Sequence, residues 1–188
     1  MNIYESSLPD VFILEPKVWG DERGYFFESF RDDLITKQIR KFNWVQDNES
    51  MSGRGVLRGL HYQLPPFAQS KLVRVIHGSV LDVAVDIRKG SPNFGKHVAV
   101  ELSEENKKQL LIPRGFAHGF LVLSDTATFS YKVDNYYSKE SERSILWNDP
   151  SIGIDWRFSE SNLILSEKDR VGRLIGEVDL FSYTDLYA

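Results

Sequence analysis

The run Arg58-Gly59-Leu60-His61-Tyr62-Gln63 sets a histidine in a strand-like stretch, between a cation and an amide. A free imidazole ionises near pH ~6.5, so its surroundings decide whether it takes a proton at neutral pH. Downstream lie Lys71, Tyr131 and Pro113-Arg114-Gly115-Phe116-Ala117-His118. Together these give an imidazole to accept a proton, an inward phenol to donate one, an ammonium and a second imidazole. Each also has an ordinary structural reading. A lone histidine is more often a hydrogen-bonded core residue. A core tyrosine needs only a partner for its hydroxyl. Lys71 stands where a surface lysine would open a strand, and His118 fits a turn as well as a site.

The elements that must position these groups are mainly strands. In Val80 to Arg88 one face reads Leu81, Val83, Val85, Ile87 and the other Val80, Asp82, Ala84, Asp86, Arg88, which is period-two alternation. Thr126 to Asn135 repeats it, with Ala127, Phe129, Tyr131 and Val133 on one side. His97 to Leu102, Gln109 to Ile112 and Phe120 to Leu123 are further short β runs, and His77-Gly78-Ser79 reads as a tight hairpin turn. Helix is expected only over Asp32 to Lys41 and from Glu167 to Gly176. Many short strands punctuated by Gly and Pro predict a mainly β, antiparallel sandwich or barrel. Strict alternation puts His61 with Leu57, Gly59 and Gln63, and Arg58 on the opposite face. If Arg58 and His61 serve one site, a bulge near Gly59 is required.

Composition narrows the classes. With 188 residues, one domain spanning 1–188 is expected. A net charge of -4 with mixed signs gives no support for nucleic-acid binding. The absence of cysteine excludes disulfides and thiolate chemistry. No apolar run approaches the ~20 residues of a membrane span, and Met1 to Asp10 has no signal pattern, so no membrane association and a cytoplasmic location are expected. Gly53-Arg54-Gly55-Val56-Leu57-Arg58-Gly59 is not a dinucleotide loop: the spacing is wrong and a strand follows. Glu140-Ser141-Glu142-Arg143 reads as a solvated turn. Pro113-x-Gly115-x-x-His118 is similar to the second cupin motif, but the first would bring His-x-His, and here His61-Tyr62-Gln63 lacks the second histidine. Two histidines fall short of a stable metal site, so no metal is expected.

Taken in order, the motifs are similar to the dTDP-4-dehydrorhamnose 3,5-epimerase family from about Val11 to Arg170. They are Gly20-Asp21-Glu22-Arg23-Gly24-Tyr25-Phe26-Phe27-Glu28, Val45-Gln46-Asp47-Asn48, Leu57 to Gln63, Ser70-Lys71-Leu72-Val73-Arg74-Val75, Ile112 to Phe120, Tyr131 and Ser166-Glu167-Lys168-Asp169. Ser70 departs from the glycine common there. The resemblance implies a cupin-like jelly-roll β-barrel with a few short helices, working as a homodimer without cofactor or metal on dTDP-4-dehydro-6-deoxy-glucose. It further implies that His61 is the base, Asp169 its carboxylate partner, Tyr131 the acid on the opposite sugar face and Lys71 the stabiliser of the enolate oxygen. Arg23, Glu28, Gln46, Asn48 and Arg58 would contact the nucleotide and diphosphate, some from the partner subunit, and His118 and Glu142 would line the pocket. The aromatic run Tyr25 to Phe30, read as a strand with large side chains on both faces, fits burial at a subunit interface. Three other readings stay open: a relative that epimerises C3 or C5 alone, a sugar-ketoisomerase relative with a similar barrel, and a cupin that binds a nucleotide sugar without catalysis.

Overall fold

In the computed structural model, which describes residues 1–183, fifteen strands and two short helices run in this order. The strands are β1 (Asn2–Glu5), β2 (Phe12–Glu15), β3 (Val18–Asp21), β4 (Gly24–Phe27), β5 (Gln46–Gly53), β6 (Leu57–Gln63), β7 (Lys71–His77), β8 (Ser79–Asp86), β9 (Arg88–Lys89), β10 (His97–Ser103), β11 (Gln109–Ile112), β12 (Phe116–Val122), β13 (Thr126–Val133), β14 (Glu142–Ser144) and β15 (Phe181–Ser182). The helices are α1 (Asp32–Gln38), between β4 and β5, and α2 (Glu167–Arg170), after β14. Six strands form one sheet in the order β1-β2-β11-β7-β13-β5, and five form a second in the order β10-β8-β12-β6-β14. Every ladder within these two sheets is antiparallel, and the two sheets face each other as a jelly roll.

Three apolar layers hold the sandwich together. Between the sheets, Val73, Val75, Phe129 and Ala127 of the larger sheet meet Val80, Ala84, Phe116 and Phe120 of the smaller one. The outer face of the smaller sheet, with Leu81, Val83, Val85 and Leu57, is covered by Ile145, Trp147, Trp156, Leu163 and Phe181 from the C-terminal part of the chain. The outer face of the larger sheet, through Leu14, Leu72 and Leu111, packs on Ile35 of α1 and on Phe42. β8 is therefore buried on both faces, the two aspartates of its inter-sheet row, Asp82 and Asp86, included.

Several local expectations change. His77-Gly78-Ser79 is not a hairpin, because β7 belongs to the six-stranded sheet and β8 to the five-stranded one. Gly78 instead turns the corner between sheets with φ +76°, and a Cβ there would stand 2.1 Å from the Thr126 carbonyl oxygen. A turn signature marks a change of direction and leaves open which strands pair. The strand expected from Phe120 begins at Phe116, which moves His118 out of any turn and into a ladder. Glu142 also lies in a strand, opposite Gln63, where a solvated turn was expected. The helix expected over Glu167 to Gly176 closes after Arg170. Gly172 then lies so close to the backbone of Ile145 and Leu146 that a Cβ would come within 2.7 Å. The run Tyr25 to Phe30 is a strand only to Phe27, paired with β3 in a separate hairpin that exposes Trp19, Tyr25 and Phe26.

Candidate active site

The cavity that brings the predicted groups together opens between the sheets and holds about 510 Å³. β6 contributes Arg58 and His61, β7 Lys71, β12 His118 and Phe120, and β13 Phe129 and Tyr131; the segment Ile164 to Asp169 closes one wall.

β6 shows how Arg58 and His61 come to share it. Leu57, Leu60 and Tyr62 all pack into the outer core, so alternation slips by one residue between Leu57 and Leu60. In the ladder with β12, Arg58 faces Phe120 and His61 faces His118: three steps on one strand against two on the other. This is a β-bulge. Gly59 makes it possible, with φ +132° and an approach to Gly119 that would put a Cβ 2.4 Å from the Gly119 Cα. Strict alternation thus misplaced Leu57 beside His61, and the bulge turns Arg58 inward with His61.

His61 is held by a carboxylate from the far end of the chain. Its Nε2 lies 2.6 Å from Asp169 Oδ1, while Ser166 Oγ donates to Asp169 Oδ2 at 2.6 Å. Ser166 also caps α2, accepting from the Asp169 N–H at 3.2 Å. Burial alone would raise the Asp169 carboxyl, but the hydrogen bonds from His61 and Ser166 outweigh it and hold it below the usual range. With Nε2 committed to Asp169, the other ring nitrogen is the one left to act on a bound molecule.

His118 sits directly opposite His61 across the ladder. Its Nε2 is 3.0 Å from Asp82 Oδ2, and its ring stacks beside Phe129. Burial pushes the His118 imidazole down, against the pull of Asp82. The Lys71 ammonium is pushed down to about 8 by burial, against the raising charges of Asp82 and Glu142. Burial raises the Tyr131 phenol, partly offset by Arg58, so this side chain keeps its proton at neutral pH.

The remaining predicted residues are arranged around these. Arg58 donates to Ser52 Oγ at 3.0 Å. Gln46 and Asn48, hydrogen-bonded to each other at 2.8 Å, share a face of β5 with Ser50, which lines the cavity. Glu142 pairs with Lys168, another lining residue, and its carboxylate accepts from the Tyr137 hydroxyl at 3.1 Å. Arg23 and Glu28 are not brought to this cavity: Arg23 pairs with Asp21 at 2.5 Å in the exposed β3–β4 turn, and Glu28 pairs with Arg31 at 3.0 Å. Among the described residues no group of three or more His, Cys, Asp or Glu side chains is arranged to hold a metal ion.

Sequence reasoning assigned no role to Asp82, Ser166 or Ser52. The spacing Ser166-x-x-Asp169 is a helix-capping pattern and carried a readable signal. Asp82 carried a weaker one, as one of three charges in a register that reads as a polar face.

The fold and this site define a jelly-roll protein with an acid–base cavity. The family profile described as dTDP-4-dehydrorhamnose 3,5-epimerase matches residues 5–177, and the chain belongs to that family. It is 58% identical to the dTDP-4-dehydrorhamnose 3,5-epimerase of Shigella flexneri over 96% of this chain and 99% of that protein. With the enzyme of the same name from Salmonella typhimurium it shares 57% identity, over 94% and 97%. The crystal structure of dTDP-6-deoxy-D-glucose-3,5-epimerase from Legionella pneumophila, in complex with dTDP-4-keto-L-rhamnose, matches with a TM-score of 0.93 and 50% identity, covering 97% of this chain and 98% of that one.

Proposed function

We propose that this protein inverts C3 and C5 of dTDP-4-dehydro-6-deoxy-D-glucose to give dTDP-4-dehydro-L-rhamnose, in dTDP-rhamnose biosynthesis. The observation that carries the reading is one cavity lined by a carboxylate-held imidazole, a protonated phenol and an ammonium. C3 and C5 both flank the C4 ketone, so their hydrogens are weakly acidic and the carbanion delocalises onto the ketone oxygen. His61 removes the proton, with Asp169 stabilising the imidazolium that forms. Tyr131 returns a proton on the other face. Lys71 neutralises the oxyanion. Carbon–hydrogen bonds break and re-form with no net oxidation, so the step needs no redox partner. Arg58, Gln46 and Asn48 take the nucleotide and diphosphate.

Arg23 and Glu28 join this site in our reading only in a homodimer, where the β3–β4 hairpin of one subunit reaches the cavity of the other. The support is the hairpin itself: Tyr25 is 61% and Phe26 67% exposed in the single chain, an apolar surface that fits burial at an interface. Light scattering at micromolar concentration should give the dimer mass, and a monomer mass would remove Arg23 and Glu28 from the site. No helix among the described residues is long and apolar enough to cross a membrane, and we place the enzyme in the cytoplasm with the nucleotide sugars it acts on.

Incubation with the 4-keto sugar nucleotide in D2O, followed by NMR, tests the reaction. Deuterium at both C3 and C5 is expected. Label at one position only would convert the reading to a single-site epimerase, and none would leave a binding protein.

A further inference from the structure

Asp82 is wholly buried, and only one of its oxygens is engaged: Oδ2 meets His118, while Oδ1 has no hydrogen-bond partner. A buried carboxylate oxygen without a donor is costly, and nothing in the packing of β8 calls for a charge there. Alternation shows where it points. Val80 and Ala84 lie on the inter-sheet face of β8, and Val73 and Val75 on the inter-sheet face of β7. Asp82 and Lys71 belong to these same two rows and so face each other across the gap.

We infer that Asp82 is a positioning residue for the reaction: its buried carboxylate, tied to His118 by one oxygen, keeps the Lys71 ammonium charged where the oxyanion forms. The inference rests on the role proposed above for Lys71. Asp82 does not line the cavity and touches no substrate in this scheme. The groups acting on Lys71 are few. Burial drives it towards neutrality; Asp82 from β8 and Glu142 from β14 oppose that, and Lys168 from α2 adds to it. Glu142 is already paired with Lys168 and Tyr137, whereas Asp82 has an oxygen to spare. His118 shares the Asp82 carboxylate, but burial disfavours its charged form, so it leaves the negative charge uncancelled. Of the other polar residues that line the cavity, Arg58, Tyr131 and His61 supply no negative charge at neutral pH, and the Asp169 carboxylate is already engaged by His61 and Ser166.

The sign of the effect follows. Lys71 is an ammonium below its pKa and neutral above it, so turnover that needs the ammonium falls as pH rises through about 8. Removing a neighbouring carboxylate lowers an ammonium's pKa, commonly by about one to three pH units. In Asp82→Asn, whose amide oxygen still accepts from His118, the alkaline limb of kcat/KM should move to pH ~7 or below. At pH 8 the loss should be about fivefold or more, with the rate recovering towards wild type near pH 6. Titration of the Lys71 side chain by 13C NMR, with Lys71→Arg providing the assignment, should show the same fall in midpoint. A Lys71 midpoint unchanged in Asp82→Asn overturns the inference, whatever happens to turnover. A midpoint that falls while the pH–rate profile keeps its wild-type shape supports the Asp82–Lys71 link and overturns the oxyanion role of Lys71 instead. If Asp82→Asn does not fold, the wild-type protein decides: the Asp82 carboxyl carbon should register a titration near pH 8, and a flat resonance from pH ~6.5 to ~9.5 overturns the inference.

Discussion

Two histidines face one cavity from adjacent strands, each paired with an aspartate, His61 with Asp169 and His118 with Asp82. Their carboxylates differ in what else they bind. Asp169 also accepts from Ser166, while Asp82 keeps an oxygen unpaired. Their rings differ in exposure: the His61 side chain is 26% accessible and that of His118 8%. An imidazolium at His61 can share its charge with a fully engaged carboxylate and with the open cavity. The same charge at His118 would have to form in the core, and burial disfavours it. Pairing with an aspartate therefore does not by itself make a histidine a base. On the roles proposed above, the exposure of the ring and the spare capacity of the carboxylate divide the labour, with one pair moving protons and the other arranging charge.

The widest separation should come from cutting each ring in turn. His61→Asn should lose about 10²–10⁴-fold in turnover and abolish solvent deuterium wash-in. His118→Asn removes one hydrogen-bonded group, costing about tenfold, and wash-in should continue. Equal losses in the two variants, read from steady-state rates and NMR exchange, would erase the distinction. Next in size is Tyr131→Phe, which keeps both pairs. Inversion should fall by about 10²-fold or more while His61 still exchanges substrate protons with retention, so the exchange-to-inversion ratio must rise. An unchanged ratio would take Tyr131 out of the acid role. The smallest effect is expected from Ser166→Ala, which withdraws one donor from Asp169. A hydrogen bond to a charged group contributes about 1.5–3 kcal/mol, and part of it is recovered by water at this half-open wall, so a loss of about three- to tenfold in turnover is expected. A drop as large as that of His61→Asn would mean that Ser166 holds the whole wall rather than one carboxylate.

How much of this was legible in the chain depends on which signal each residue carried. Alternation gave β8, β10, β11 and β13 nearly at their observed limits, because a half-buried or fully buried strand must repeat every two residues. It failed at Gly59, where one extra residue changes the face of everything before it. Sequence could state that a bulge was needed there but not that Gly119, 60 positions on, leaves the space for it. Asp82 was visible as a charge in β8, yet the same alternation counted it with a polar face; only the second sheet, stacked on that face, shows that it is buried. Asp169 was reached through the motif resemblance, since no local pattern ties it to a histidine 108 residues earlier. Arg23 and Glu28 illustrate the opposite limit: the motif that marks them is strong, and a single chain does not bring them to the cavity of His61.

The 108-residue separation of His61 and Asp169 also bears on biosynthesis. The strands carrying Arg58, His61, Lys71, His118 and Tyr131 have all been translated by Val133, but the carboxylate that holds His61 emerges later, on a four-residue helix. That helix is placed by the same stretch of chain whose Trp147, Trp156 and Leu163 cover the outer face of the smaller sheet. A nascent chain halted before this stretch would carry all five of these groups and leave His61 without its carboxylate. On the role proposed for Asp169, catalytic competence is thus timed to the docking of the last core layer.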